Sequence, residues 1–126
     1  YGLVRMGEVA EQPLAAFAAF VKRVLSCPGV RFSDAGKPVR KVAVGGGSCG
    51  SEIGDVIAAG CDTFVTADLK YNHFEEAKYR GLNLIDAGHF ETENPVCDVL
   101  EGILREAFPE IPVFRARTHR DETQFL

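Results

Sequence analysis

Leu14, Phe17, Val21, Val24 and Leu25 place apolar side chains at helical spacing, and Pro13 has the fixed φ that a first turn accepts. The spacing predicts an amphipathic helix over Pro13–Leu25, stopped by Cys27-Pro28-Gly29. A polar stretch from Arg31 to Lys37 leads into Val39–Val44, a short β-branched run that reads as a strand. From there the chain alternates short apolar runs, glycine-bearing or polar loops, and helical stretches. The runs are Val39–Val44, Thr63–Thr66, Leu82–Asp86 and Pro112–Arg115; the helices span roughly Ser51–Ala59, Asn72–Tyr79 and Pro95–Phe108.

Repeated β-loop-α units predict an α/β fold with a mainly parallel sheet. Residues 1–126 then form a single domain: a lead-in over 1–38, a β-loop-α core over 39–117 and a polar tail over 118–126. In a parallel sheet the loops following the strands share one edge, and ligands bind at that carboxyl edge. Those loops are Gly45–Gly50, Ala67–Tyr71 and Ala87–Glu93.

The third loop, Asp86-Ala87-Gly88-His89-Phe90-Glu91-Thr92-Glu93-Asn94-Pro95, sets an imidazole and a carboxylate four positions apart across a strand end and a helix start. That spacing brings His89 and Glu93 to one face, and such donors suit zinc, manganese or iron. The alternative is structural, with Thr92 or Asn94 as helix cap, Pro95 in the first turn and Glu93 favouring the positive helix end. Gly45-Gly46-Gly47-Ser48-Cys49-Gly50 satisfies G-x-G-x-x-G between a strand and a helix, and Asp68 follows in the region of a ribose-binding acid. It reads as a dinucleotide loop, as an anion cradle from the amides of Gly46, Gly47 and Ser48, or as a tight turn capped by Ser48 or Ser51. Asp68-Leu69-Lys70-Tyr71-Asn72-His73 gathers acid and base candidates, Asp68 and Tyr71 among them, or is a helix start capped by Asp68 or Asn72. His119 lies in the polar tail and reads as solvated.

Composition changes this picture little. Hydrophobic residues make up 46% and charged residues 25%, a globular balance. A net charge of −4 offers no basic surface for a nucleic-acid polymer. No apolar run approaches the roughly 18 residues of a membrane span, and Cys27, Cys49, Cys61 and Cys97 form no CxxC pair, so reduced thiols and a cytoplasmic setting are expected. The chain starts on Tyr1, and Gly2–Gly7 reads like the middle of a longer protein, so a fragment is expected.

Together, Val42–Ser48, Asp62–Tyr71 and Gly81–Glu93 resemble, in order and spacing, the Nif-three-like dinuclear metal centre family, whose members carry the name GTP cyclohydrolase I type 2 homologue. The resemblance runs from about Gly2 to about Phe114 and covers the C-terminal half of that family. It implies two divalent ions, with His89 and Glu93 as late ligands; the earlier ones, including a His-His pair, lie in a missing N-terminal half. It also implies a homohexamer and no nicotinamide, with the glycine loop as a turn. Where one family form has histidine directly after the tyrosine, this chain has Asn72, and His73 follows. The lead expectation is a metal-dependent hydrolase of a nucleotide or phosphate-bearing small molecule. A metal-stabilised scaffold or regulatory protein is the alternative, and a dinucleotide-binding domain the third.

Overall fold

The computed structural model describes residues 2–126. Its elements are β1 (Arg5–Gln12), α1 (Leu14–Val24), β2 (Arg31–Ser33), β3 (Val39–Val44), a 3-10 turn (Gly50–Glu52), α2 (Ile53–Ala58), β4 (Thr63–Thr66), α3 (Tyr71–Tyr79), β5 (Asn83–Asp86), α4 (His89–Glu93) and α5 (Pro95–Ala107). The five strands form one sheet in the order β1-β3-β4-β5-β2. The central β3-β4-β5 pairings are parallel, as the alternation implies. The two edges are antiparallel: β1 runs beside β3, and β2 beside β5.

Neither edge strand follows from the pattern. β1 is exposed along most of its length, and β2 has only three residues, so neither carries the apolar signature of a buried strand. The strand expected at Pro112–Arg115 is absent. That segment is irregular and lies along α5, where Arg115 bonds Glu101 at 2.8 Å and pairs with Asp98, and Arg105 donates to the Val113 carbonyl.

Alternation along the strands splits the core in two. Val42 and Val65 face α1 and pack with Leu14, Phe17, Val21, Ile85 and Ala87. Ala43 and Phe64 face the other way and pack with Ile53, Val56, Leu69, Ala77 and Leu84 beneath α2 and α3. The sheet is thus covered on both faces, the arrangement that lets its central strands be buried throughout. In α1, Val24 departs from expectation and is exposed. The other helix of note is α5, which buries none of its residues; Val96, Val99, Leu100, Ile103 and Leu104 are all exposed.

Two polar side chains stitch the layers. The buried Asn83 amide accepts from Ala35 N–H at 3.0 Å and donates to the Lys37 carbonyl at 2.9 Å, tying the loop before β3 to β5. Asp86, at the carboxyl end of β5, accepts from Leu69 N–H at 3.0 Å and Gly88 N–H at 3.2 Å and pairs with Arg31.

Truncating Asp86 leaves a buried amide and a guanidinium without their anion. We expect Asp86→Ala to cost about 2–4 kcal/mol and Asp86→Asn, which keeps one acceptor oxygen, clearly less. Urea unfolding midpoints of the two variants check this.

Candidate metal half-site

The three strand-end loops meet at the carboxyl edge, as the sequence leads one to expect. Gly47 adopts φ +65° and turns the first loop back, where its carbonyl accepts from Ala67 N–H at 3.0 Å and from Thr66 Oγ1 at 2.9 Å. Gly47 N–H donates to Thr92 Oγ1 at 2.9 Å, and Thr92 Oγ1 donates to the Gly88 carbonyl at 2.8 Å. These short contacts fix the glycine loop against α4.

His89 opens α4, and Glu93 closes it one turn later. His89 Nδ1 lies 2.6 Å from Asp68 Oδ2, and Nε2 lies 3.3 Å from Glu93 Oε2. An ionised carboxylate only accepts, so Asp68 places the ring proton on Nδ1 and leaves the Nε2 lone pair on the Glu93 side. Asp68 does this from φ 54°, a left-handed conformation that costs a non-glycine residue energy and that Asp tolerates better than most. The Asp68 hydrogen bond, with added support from Glu93, holds His89 above the ordinary imidazole value of 6.5.

Two tests bear on whether a metal ion fits here. Ligands each about 2.1 Å from one ion at a tetrahedral angle lie roughly 3.4 Å apart, close to the 3.3 Å between Nε2 and Oε2. The second concerns room. A Cβ added at Gly47 would stand 2.3 Å from Glu93 Oε1 and 3.1 Å from His89 Nε2, so only glycine leaves the space beside both donors free. The pair fits one side of an ion. Among the described residues no group of three His, Cys, Asp or Glu completes a site.

The remaining sequence candidates fall elsewhere. Tyr71 is 76% exposed at the start of α3, turned to solvent. Ser48 and Gly46 are exposed, and Gly46 abuts the Thr92 carbonyl. No serine caps the turn after the glycine loop; Thr66 Oγ1 takes Cys49 N–H at 3.1 Å instead. Nor does Thr92 or Asn94 cap α5, because the chain runs on in helical geometry from α4 and Thr92 is engaged with Gly47. Neither Asp68 nor Asn72 caps α3: Lys70 stands there, its N–H held by His73 Nδ1 at 3.2 Å, which gives His73 a structural role. His119 is more than a solvated tail residue, since it packs on Phe90 at 5.0 Å and contacts Asn94 Oδ1 at 3.1 Å. The residues that sequence reasoning missed are Thr66, Asp86 and Arg31, which hold the loops. The acid directly before Ala87-Gly88 at a strand end is the one local signal for them.

Residues 1–122 match the family Duf34/NIF3 (NGG1p interacting factor 3). The chain belongs to this family. It is 43% identical over 84 residues to a Nostoc sp. protein named GTP cyclohydrolase 1 type 2 homolog, covering 64% of this chain and 32% of that one. A Staphylococcus aureus protein of the same name is 39% identical over 92 residues, 71% of this chain and 25% of its own length. The chain thus spans a quarter to a third of these relatives. Among solved structures, Staphylococcus aureus protein SA1388 superposes with a TM-score of 0.91 at 32% identity, over 100% of this chain and 43% of that one. The Bacillus cereus protein related to NIF3 gives 0.83 at 30% identity, over 99% and 36%. The family's α/β fold is the one described above.

Two outcomes are expected at this site. Asp68→Asn removes the main cause of the raised His89 pKa, so an NMR titration should show the imidazole falling back toward 6.5. The sign follows from linkage: a raised folded pKa favours folding below the unfolded value, and that gain disappears as pH rises through the folded one. Gly47→Ala meets both a positive φ and the Glu93 carboxylate. It should cost at least about 1 kcal/mol in urea unfolding.

Proposed function

We propose that this chain supplies the His89–Glu93 side of a dinuclear divalent-metal centre in a protein that hydrolyses a nucleotide or phosphate-bearing small molecule. The observation that carries the reading is the 3.3 Å pairing of His89 Nε2 with Glu93 Oε2 beside a glycine that leaves space for an ion. Zinc, manganese and iron all accept this donor set. A bound pair of such ions would polarise the substrate and lower the pKa of a coordinated water toward neutrality. The chain's own part is to hold and orient. His89 and Glu93 present donors, Asp68 fixes the imidazole proton on Nδ1, and the Thr66-Gly47-Thr92 contacts keep the glycine loop clear of the donors.

The remaining ligands would come from the part of the protein that the relatives possess beyond this match. The exposed apolar face of α5 supports such a partner, or assembly into a homohexamer, because a surface of that kind is seldom left in water. Three buried free cysteines fit a reducing, cytoplasmic setting. No helix among the described residues is long and apolar enough to cross a membrane.

A second reading, a metal-stabilised scaffold without turnover, draws on that same α5 face. The dinucleotide reading has less support: of the glycine-loop amides, those of Gly45, Gly47 and Cys49 are already bonded within the protein. They are not available to a pyrophosphate.

Elemental analysis after incubation with zinc, manganese or iron and desalting tests the metal reading. We expect this chain to retain divalent metal and a His89→Ala, Glu93→Ala double variant to lose it. Equal retention in both would sink the assignment. With the complete protein, Glu93→Ala should abolish hydrolysis and preserve the fold if the centre is catalytic. In a scaffold it should weaken assembly.

A further inference from the structure

Away from the His89–Glu93 pair, three donor atoms converge from two separate parts of the chain. Phe90, Asn94 and Cys97 stand at i, i+4 and i+7 on one face of the continuous α4–α5 helix. That face is turned from the one carrying His89 and Glu93, because consecutive helical residues point about 100° apart. The segment after α5 runs back along it, held where Arg105 donates to the Val113 carbonyl and Arg115 bonds Glu101, and brings His119 over this face. The His119 ring packs on Phe90 at 5.0 Å between centroids, and its Nε2 lies 3.1 Å from Asn94 Oδ1 and 3.9 Å from Cys97 Sγ. Cys27, Cys49 and Cys61 are buried, whereas Cys97 is half-buried. Beside it lies a cavity of about 290 Å³ walled by Leu100, Leu104, Val113 and Phe114.

One ring nitrogen serves only one of these neighbours well by hydrogen bonding. With a lone pair, Nε2 takes the thiol proton and opposes the Asn94 oxygen; with a proton, it serves that oxygen and leaves the sulfur at 3.9 Å. A cation takes lone pairs from all three atoms at once. Tetrahedral zinc, with sulfur at about 2.3 Å and nitrogen and oxygen at about 2.1 Å, sets S and N roughly 3.6 Å apart and N and O roughly 3.4 Å apart. The 3.9 and 3.1 Å found here differ from these by only about 0.3 Å each. The donor set also sorts the metals, since thiolate and imidazole favour zinc and softer ions over manganese, magnesium and calcium. The apolar wall beside Cys97 limits the access of water to the sulfur.

We propose that Asn94 Oδ1, Cys97 Sγ and His119 Nε2 form a second, mononuclear site for zinc or a softer ion, with solvent in the fourth position. The thiol gives its proton to solvent on binding. An ion held there fastens the segment after α5 to the junction of α4 and α5, where the protein otherwise relies on exposed side-chain contacts. The site shares no ligand with the His89–Glu93 pair, so the two readings stand or fall separately.

Cobalt(II) titration of the chain, kept reduced by a phosphine, reads this site through its sulfur: thiolate-to-cobalt charge transfer absorbs in the near ultraviolet, and the His89–Glu93 pair has no sulfur. The band should grow to one cobalt per chain, persist in the His89→Ala, Glu93→Ala double variant and disappear in Cys97→Ser. His119→Ala should weaken binding at least about 10-fold. Asn94→Asp, which offers a charged oxygen, should tighten it, and circular dichroism should be unchanged in each single variant. Zinc should displace the cobalt and bleach the band; manganese should not. No band, a band that survives Cys97→Ser, affinity unaltered by His119→Ala or by Asn94→Asp, or bleaching by manganese would overturn the inference.

Discussion

The carboxyl edge of this sheet is organised by one buried acid. Asp86 ends β5 and collects donors from three directions: Arg31 on the edge strand β2, the Leu69 amide beyond β4, and the Gly88 amide on its own loop. An anion in that position repays its desolvation only if its partners are all in place. The arrangement therefore behaves as a unit. Arg31 holds β2 and the Leu69 carbonyl to the rest, and the same contacts set where Asp68 and His89 leave their strands. The site's geometry is inherited from this acid, although the acid is not itself a candidate ligand.

The second constraint is steric. Gly47 lets the glycine loop fold over α4 with its amide on Thr92 and its carbonyl against Thr66 and Ala67. A loop that looks built for a cofactor spends its central hydrogen bonds on the protein itself. What remains is a gap beside two donors, and the absence of a side chain is the property that matters there. The glycine loop and the His89–Glu93 pair both lie within residues 1–122, which match the family.

Much of the centre of the fold was legible. Three apolar runs separated by helical stretches give the parallel strands, and the rule that their loops share an edge brings Asp68, Gly47 and His89 together. The edges were not legible, because β1 is exposed and β2 is too short for a pattern to form. Pro112–Arg115 misled in the opposite way, carrying strand-like residues that lie along α5 instead. At the site, spacing sets His89 and Glu93 on one face, whereas the hold of Asp68 on the His89 ring is not legible. That role depends on a left-handed backbone and a contact between residues 21 positions apart, neither of which is written locally. Caps fail for a related reason: the Thr92 hydroxyl, suited to a helix start, is claimed by the Gly47 amide, and Thr66 rather than a serine takes the Cys49 amide.

Helix α5 stands apart from all this. It follows α4 through Asn94 without a break in helical geometry, yet it contributes no buried residue to either core cluster. Its backbone is therefore protected chiefly by its own hydrogen bonds, and a single 13-residue helix is marginal in water. Amide exchange would divide the chain near Asn94, with slow protons in the sheet and fast ones beyond it. His89 and Glu93 precede that divide, on the short helix that the Thr92 hydroxyl ties to the glycine loop, so fraying of α5 leaves that tie untouched.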